Sequence, residues 1–248
     1  MSAPTWVTAT PIAHRGLHDP DKGIIENTLT AASAAVAAGF AIECDVQDTA
    51  DGDAVVFHDH DLDRLTAERG LVRERRIAEL TSITIGSTAD RIPTFAGFLD
   101  HIGGKVPLIV EIKSRFDGDM RLTRRVCEVI AGYSGPLAIK SFDPAVIATV
   151  REIAPNVPRG IVAESQYQHP SWDNLSQEKK RELANLLHFD DSRPQFLSWH
   201  VNDLPTAAPH LGRLLGGLPV MAWTVRTPEQ RDVANRYADQ MVFEGFMP

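Results

Sequence analysis

Short apolar segments alternate with amphipathic stretches along most of the chain. The apolar segments have the length and composition of strands, and several of them end at charged residues. Helical patterns lie between them, and this alternation is typical of a parallel sheet covered by helices. Eight strands are predicted, at Pro11–Arg15, Ala41–Val46, Leu108–Lys113, Leu137–Ser141, Gly160–Ala163, Gln195–His200, Val220–Val225 and Met241–Phe243.

The first crossover between these strands has a clear helical pattern. Asn27 can cap the free amides at its start, and Gly39 is suited to end it. Leu29, Ala32 and Val36 fall on one face of this helix. Further helices are predicted at Thr94–Ile102, Asp119–Ala131, Pro144–Ala154, Ser176–His188 and Pro228–Ala238.

One further apolar segment, Ala54–Phe57, breaks this rhythm. Only Gln47–Asp53 separates it from the second strand, which is too short for a parallel crossover, so a hairpin is predicted. The remaining eight βα units in 248 residues predict a single α/β domain over residues 1–248, a (β/α)₈ TIM barrel. An open doubly wound sheet is the alternative, although no glycine-rich phosphate-binding sequence follows the first strand.

Composition and charge limit the partners. The net charge is −8 and Lys and Arg are scattered, so no basic stripe indicates nucleic acid. The N-terminus has neither a signal-peptide pattern nor a long apolar run, which predicts a cytoplasmic protein without membrane insertion. Cys44 and Cys127 are interpreted as buried thiols in a reducing compartment. No pattern indicates an oligomeric state.

Three carboxylates stand at the ends of predicted neighbouring strands. Glu43 and Asp45 are two residues apart and point to one side of their strand, with Cys44 on the other side. Glu111 occupies a like place on the next strand, and the residues around all three are apolar. Hard oxygen ligands without paired cysteines or histidines predict one divalent cation, Mg²⁺ or Ca²⁺, rather than zinc. The alternative is a solvent-exposed face or an ion-pair network.

Two histidines also end strands. His14 precedes Arg15, whose guanidinium can contact phosphate oxygens, and His58 precedes Asp59 at the end of the hairpin. A lone histidine is usually structural, but two beside a carboxylate cluster can divide proton removal and proton delivery. Cleavage of a phosphodiester needs both steps, because the leaving alkoxide is a strong base.

Three other side chains at strand ends are candidate substrate contacts. Lys113 shares a face with Glu111 and can add positive charge, although most lysines face solvent. Trp223 can pack against a carbon skeleton or belong to the core. His200 ends a strand without an evident partner.

These residues belong to an ordered series of short motifs. The series reads His14-Arg15-Gly16, Glu26-Asn27-Thr28, Glu43-Cys44-Asp45-Val46, Asp51-Gly52, His58-Asp59, Leu62-Asp63-Arg64, Glu111-Ile112-Lys113, Ser141-Phe142 and Trp223-Thr224-Val225. Together the motifs resemble the glycerophosphodiester phosphodiesterase family. The resemblance implies a TIM barrel that hydrolyses glycerophosphodiesters to glycerol 3-phosphate and an alcohol, with one divalent cation.

The resemblance also implies roles for the matching residues. The cation would be held by Glu43, Asp45 and Glu111, with His14 and His58 as acid and base and with Arg15 and Lys113 contacting the phosphate. The substrate's glycerol hydroxyl would attack phosphorus and leave a cyclic phosphate, which water then opens.

The sequence departs from the family pattern in three places. Ile25 stands where the family usually has proline, and Leu65 replaces a threonine. The closing segment is Asp239–Glu244, where Glu244 takes the place of a shorter aspartate. Other readings are a phosphodiesterase of lysophospholipids or inositol phospholipids, a metal-dependent lyase or aldolase on the same fold, and a barrel that binds phosphate ligands without turnover.

Overall fold

Eight parallel strands close into a barrel in the computed structural model, which describes residues 3–248. The first strand pairs with both the second and the last, and this closure confirms the TIM barrel and excludes the open sheet. The barrel strands are β1 (Ile12–Ala13), β2 (Ala41–Asp48), β4 (Leu108–Ile112), β5 (Leu137–Ser141), β6 (Arg159–Ala163), β7 (Phe196–His200), β8 (Val220–Val225) and β9 (Gln240–Phe243).

Within residues 3–248, one strand lies outside the ring, and it belongs to the predicted hairpin. β3 (Ala54–Val56) pairs antiparallel with β2, with Val46 opposite Val56. The chain that follows packs a small core of its own, which includes Phe57, Leu62 and Leu80. The excursion is therefore larger than the predicted hairpin, and it brings His58 back to the barrel mouth.

Helices cover the outside of the barrel. They are α1 (Leu29–Ala38), α2 (Ile77–Leu80), α3 (Phe95–Ile102), α4 (Arg121–Ile130), α5 (Pro144–Ile153), α6 (Gln177–Ala184), α7 (Phe189–Ser192), α8 (Ala207–Leu214) and α9 (Pro228–Tyr237). Within residues 3–248, no helix is long and apolar enough to cross a membrane.

The prediction for the start of α1 was wrong by one residue. Thr28 is the N-cap, and its hydroxyl accepts a hydrogen bond from the Ala31 amide. Asn27 has a left-handed backbone and turns its side chain toward Asp45 instead. Gly39 ends the helix as predicted, with φ of 75°.

Other predicted boundaries shift for local reasons. β1 covers only Ile12–Ala13, because Arg15 and Gly16 turn the chain in left-handed conformations. The helix predicted at Ser176–His188 ends at Ala184. Leu186 then has a positive φ, and the chain resumes as the short α7. The helix α8 was not predicted.

The barrel interior is filled in layers. A lower layer takes one buried apolar residue from most strands, and these pack together. Its members on the strands are Ile12, Ala41, Ile109, Ala138, Phe196, Met221 and Val242. β6 contributes Gly160, where a Cβ would lie 2.2 Å from the Phe196 ring. Because side chains alternate along a strand, the residues two positions later form the next layer, at the C-terminal mouth.

Cys44 lies on the opposite face of β2. It is buried in the core between barrel and helices, and Cys127 on α4 belongs to the same core. Both thiols are free.

Candidate active site

The layers above the lower apolar layer, which we call the plug, contain the three predicted carboxylates. Glu43, Asp45 and Glu111 are 0%, 1% and 5% exposed. One oxygen from each lies within 4.8 Å of the other two. Oxygens that share a Ca²⁺ ion at 2.3–2.6 Å lie at most about 5 Å apart, so the donor set and its spacing fit a hard divalent cation.

Two ammonium groups lie among these carboxylates. Lys113 Nζ is 2.7 Å from Asp45 Oδ1 and 2.6 Å from Glu111 Oε1. Lys140 Nζ is 3.0 Å from Glu43 Oε1 and 3.2 Å from Glu111 Oε2. A cation would share these oxygens with both lysines.

Lys140 is a site residue that the sequence analysis missed. It is 2% exposed and lies on β5, two residues after the plug residue Ala138. The alternation along β5 places it on the inner face, beside Glu111 in register. That alternation was the available signal, but a lysine near a strand end usually faces solvent.

The charges at the mouth act on one another. Burial would raise the pKa of Asp45, but Lys113, His58, Arg15 and His14 hold it well below its usual range. Both predicted catalytic histidines therefore lie near the Asp45 carboxylate and help to lower its pKa. Burial likewise opposes ionisation of Glu111, yet Lys113 and Lys140 lower its pKa to about 2.

His14 is held by the last strand. Its Nδ1 lies 2.5 Å from Glu244 Oε2, while Nε2 faces Glu43 Oε2 at 4.0 Å. Arg226 Nε donates to the other oxygen of Glu244. Burial lowers the pKa of His14, and the hydrogen bond with Glu244 opposes this effect. Glu244, which the sequence analysis noted only as a replacement for a shorter aspartate, therefore orients the His14 imidazole.

His58 is held in a similar way from the excursion. Its Nδ1 lies 2.7 Å from Asp59 Oδ1. Arg64 Nε donates to Asp59 Oδ2 at 2.6 Å, and the same guanidinium donates two bonds to Glu26. The Asp63-Arg64 motif thus supports the histidine through its carboxylate.

Arg15 connects the two histidine environments. Its Nη1 donates to Glu26 Oε1 at 2.6 Å, and its Nε lies 3.4 Å from Asp45 Oδ2. Its backbone amide donates to Glu43 Oε2. Gly16 follows at φ 80°, and a Cβ there would lie 2.9 Å from Ala31 of α1. The absence of a side chain at Gly16 therefore lets α1 pack closely.

Asn27 fixes Asp45 from the other side. Its Nδ2 donates to Asp45 Oδ2 at 2.9 Å, and its Oδ1 accepts from the Asp45 amide at 3.3 Å. Asn27 is 1% exposed.

An aromatic wall lines the mouth across from the charged groups. We define it as Trp223, Phe142, Trp172 and His200. The Trp223 ring lies 5.5 Å from that of Phe142 and 5.0 Å from that of His200. The Phe142 ring lies 4.8 Å from that of Trp172. Trp223 Nε1 donates to the Ser198 carbonyl, which fixes the ring.

Several known proteins are similar to this chain over most of its length or over more than half of it. YhdW of Bacillus subtilis is 28% identical over 226 residues, 86% of this chain and 85% of that protein. A glycerophosphodiester phosphodiesterase of Caldanaerobacter subterraneus is 31% identical over 169 residues, 64% of this chain and 68% of that protein. A phosphodiesterase of Oleispira antarctica, solved with sn-glycerol-3-phosphate, has the same fold. Its TM-score is 0.77 at 24% identity, covering 96% of this chain and 94% of that one.

The match to a protein-family model covers most of the chain. The model described as the glycerophosphoryl diester phosphodiesterase family matches residues 14–244. That range begins at His14 and ends at Glu244, the two residues that meet across the barrel closure. The chain belongs to the glycerophosphoryl diester phosphodiesterase family, whose members are phosphoric diester hydrolases.

Proposed function

We propose that this enzyme hydrolyses glycerophosphodiesters to glycerol 3-phosphate and an alcohol, using one divalent cation, Mg²⁺ or Ca²⁺. The observation that carries the proposal is the buried set Glu43, Asp45 and Glu111, flanked by His14 and His58. Each imidazole has its Nδ1 hydrogen-bonded to a carboxylate, whereas its Nε2 makes no hydrogen bond within the described residues and is left for a substrate. The sn-glycerol-3-phosphate bound to the structural relative from Oleispira antarctica supports the choice of substrate.

The two histidines divide the proton transfers. One imidazole removes the proton from the substrate's glycerol hydroxyl, and the hydroxyl oxygen forms a bond to phosphorus. The other imidazole protonates the alcohol oxygen as its bond to phosphorus breaks. The product of this step is a cyclic phosphate, and a water molecule opens it with the proton transfers reversed.

The carboxylates of Asp59 and Glu244 position the imidazoles. A carboxylate that accepts a hydrogen bond from Nδ1 fixes the tautomer and stabilises the imidazolium that forms when Nε2 takes a proton. Both carboxylates are themselves held by arginines, Arg64 and Arg226. The proton therefore moves at Nε2 of each ring.

Positive charge and an apolar surface bind the rest of the substrate. Arg15 and Lys113 contact the phosphate oxygens. A cation held by the three carboxylates would supply further positive charge beside the phosphate. Trp223, in the aromatic wall, gives the carbon skeleton an apolar surface. These local cations offset the net charge of −8, which would otherwise repel a phosphate.

We place the enzyme in the cytoplasm. The support is that Cys44 and Cys127 are buried free thiols, as expected in a reducing compartment.

The test is release of glycerol 3-phosphate from glycerophosphocholine and glycerophosphoethanolamine by purified protein. Release is expected with Mg²⁺ or Ca²⁺, should stop with chelator and should return when the cation is restored. Release that is insensitive to chelator would overturn metal dependence. If no glycerol 3-phosphate is released but lysophosphatidylcholine or phosphatidylinositol is cleaved, the substrate assignment is wrong.

A further inference from the structure

A cavity lined by both polar and apolar residues lies at the other end of the barrel. Its volume is about 350 Å³, and its lining includes Arg151, Arg159, Arg193 and Gln195. Arg159 is the first residue of β6, and Gln195 immediately precedes β7. The cavity therefore opens at the N-terminal ends of the strands, opposite the active site. We call it the lower pocket.

Arg159 is the unusual residue of the lower pocket. It is 9% exposed, and its Nε makes no hydrogen bond within residues 3–248. The contact of its guanidinium is Nη1 to Gln195 Oε1 at 3.5 Å. No carboxylate in the described part of the chain lies within 4.0 Å of it. Buried charges are normally paired, so a guanidinium in this state lacks an anionic partner.

The neighbouring groups add to the positive charge. Arg151 donates to the Asp191 carbonyl and has no carboxylate within 4.0 Å in the described chain. Arg193 is paired with Asp190 at 2.8 Å. The pocket therefore carries two guanidinium charges that no described carboxylate balances. Burial lowers the pKa of Arg159, and the like charge of Arg151 lowers it further.

The chemistry of these donors selects the ligand. Gln195 Oε1 accepts from the Arg159 backbone amide, which leaves its Nε2 as another donor. Guanidinium forks and an amide N–H match the oxygens of a phosphate, which at neutral pH carries close to two negative charges. The geometry points to a binding site for a phosphate or phosphomonoester dianion in the lower pocket, held by Arg159 and Arg151 and separate from the active site.

Two sources of phosphate are compatible with the surroundings. Leu214 and Leu215 are 68% and 78% exposed, and they directly precede Gly216, which lines the pocket. The phosphate could belong to a small metabolite or to an anionic lipid whose bilayer receives these leucines. The chemistry recognised is the same, and the experiment separates the two.

The experiment begins with calorimetric titration of inorganic phosphate into wild type, Arg159→Gln and Arg151→Gln. The control is Arg124→Gln, which removes the same charge from an exposed position on α4. Affinity at this site should fall at least tenfold in Arg159→Gln and remain unchanged in the control. Turnover of glycerophosphocholine should be unchanged in all of them. Wild-type phosphate binding in Arg159→Gln would overturn the inference.

The position is read from crystals soaked in tungstate, a phosphate analogue with an anomalous signal. A peak within hydrogen-bonding distance of the Arg159 guanidinium is expected, and a peak at the mouth alone would contradict the site. Co-sedimentation with phosphatidylcholine vesicles containing phosphatidic acid then tests the source. Loss of binding in both Arg159→Gln and Leu215→Ser identifies a lipid, whereas phosphate binding without vesicle binding identifies a small metabolite.

Discussion

Within residues 3–248, one lysine and one arginine are buried, Lys140 at the mouth and Arg159 at the opposite end of the barrel. Lys140 is 2% exposed and lies between Glu43 and Glu111, at 3.0 and 3.2 Å. Arg159 is 9% exposed and has no described carboxylate within ion-pairing distance. At the mouth, the protein itself balances the buried charge. In the lower pocket, the balance is left to a ligand.

Lys140 belongs to the active site, whereas Arg159 belongs to the separate site proposed in the lower pocket. Removing a charge at the mouth leaves its carboxylate partners unbalanced, so the cost should be large. Removing Arg159 leaves no ionic partner behind, so the cost should be small or absent.

The largest effect should come from the histidines. His58→Gln and His14→Gln are each expected to lower kcat for glycerophosphocholine by about 10²–10⁴-fold, the range that a general acid or base contributes. His101→Gln, at an exposed position on α3, is the control and should be near wild type. Calorimetry should show that divalent cation binding persists. Normal turnover in the double variant would refute the mechanism.

A change of leaving group assigns the two roles. Glycerophospho-p-nitrophenol releases a weakly basic phenolate that needs no proton from the enzyme. The variant that lacks the acid should therefore regain most of its rate with this substrate, while the variant that lacks the base should not. Equal recovery of both variants would contradict a division of labour between His14 and His58.

Lys140→Met should have the next largest effect. Without the ammonium group, the buried carboxylates repel one another, and loss of one partner from a buried ion pair costs about 3–5 kcal/mol of unfolding free energy. Urea unfolding in chelator measures this loss. Added Ca²⁺ should restore much of it, because the cation replaces the missing charge, and calorimetry should show tighter Ca²⁺ binding than in wild type.

The control for that experiment is Lys105→Met, at an exposed position before β4. It should change neither stability nor Ca²⁺ affinity. Unchanged Ca²⁺ affinity in Lys140→Met would show that the ammonium group does not compete for the ligand oxygens.

Glu26 should give a smaller effect that depends on pH. Burial would raise its pKa, but Arg64 and Arg15 lower it to about 2 from an ordinary value of 4.5. A lowered carboxyl pKa contributes stability above pH 4.5, and this contribution is lost as the pH falls toward 2. Its full size is at most about 3 kcal/mol.

Urea unfolding of wild type and Glu26→Gln between pH 7 and pH 2 tests this contribution. The two stability curves should differ at pH 7 and converge in acid. Glu178→Gln, at an exposed position on α6, should follow wild type throughout. A constant difference between wild type and Glu26→Gln at all pH values would show that the carboxylate's charge is not the cause.

Arg159→Met should have the smallest effect on stability, and unlike the other variants it should not lower the unfolding free energy. An unpaired buried charge is replaced by an apolar side chain, so the unfolding free energy should stay level or rise by about 1 kcal/mol in phosphate-free buffer. Inorganic phosphate should stabilise wild type and not this variant, since only the native site binds it. Thermal unfolding with and without phosphate measures both. If Arg159→Met lowered the unfolding free energy as much as Lys140→Met does, the charge of Arg159 would already be paired within the protein.

Much of the fold could be predicted from the sequence because strand and helix periodicities are local. All eight predicted barrel strands exist, and Ala54–Phe57 does fold back on the second strand. Boundaries failed where the backbone turns left-handed, as at Arg15 and Leu186. The helix α8 has alanine, glycine and proline in place of a clear apolar stripe, so the pattern did not reveal it.

The candidate site was partly predictable for the same reason. The spacing of Glu43 and Asp45 places both on one face of β2, and the structure brings them together with Glu111, His14 and His58. Asn27 was assigned to helix capping because that is the usual role of asparagine before a helix. Its left-handed backbone releases the side chain to bind Asp45 instead.

The sequence by itself determined which residues share a face of each strand, since alternation is a property of a few neighbouring residues. It therefore determined the barrel, its mouth and the predicted carboxylate set. Only the tertiary structure decided which charges meet. Barrel closure joins β9 to β1 and brings Glu244 to His14 across 230 residues of chain. Arginines that are scattered in the sequence likewise converge in the lower pocket, because ionic contacts depend on distance in space and not on separation along the chain.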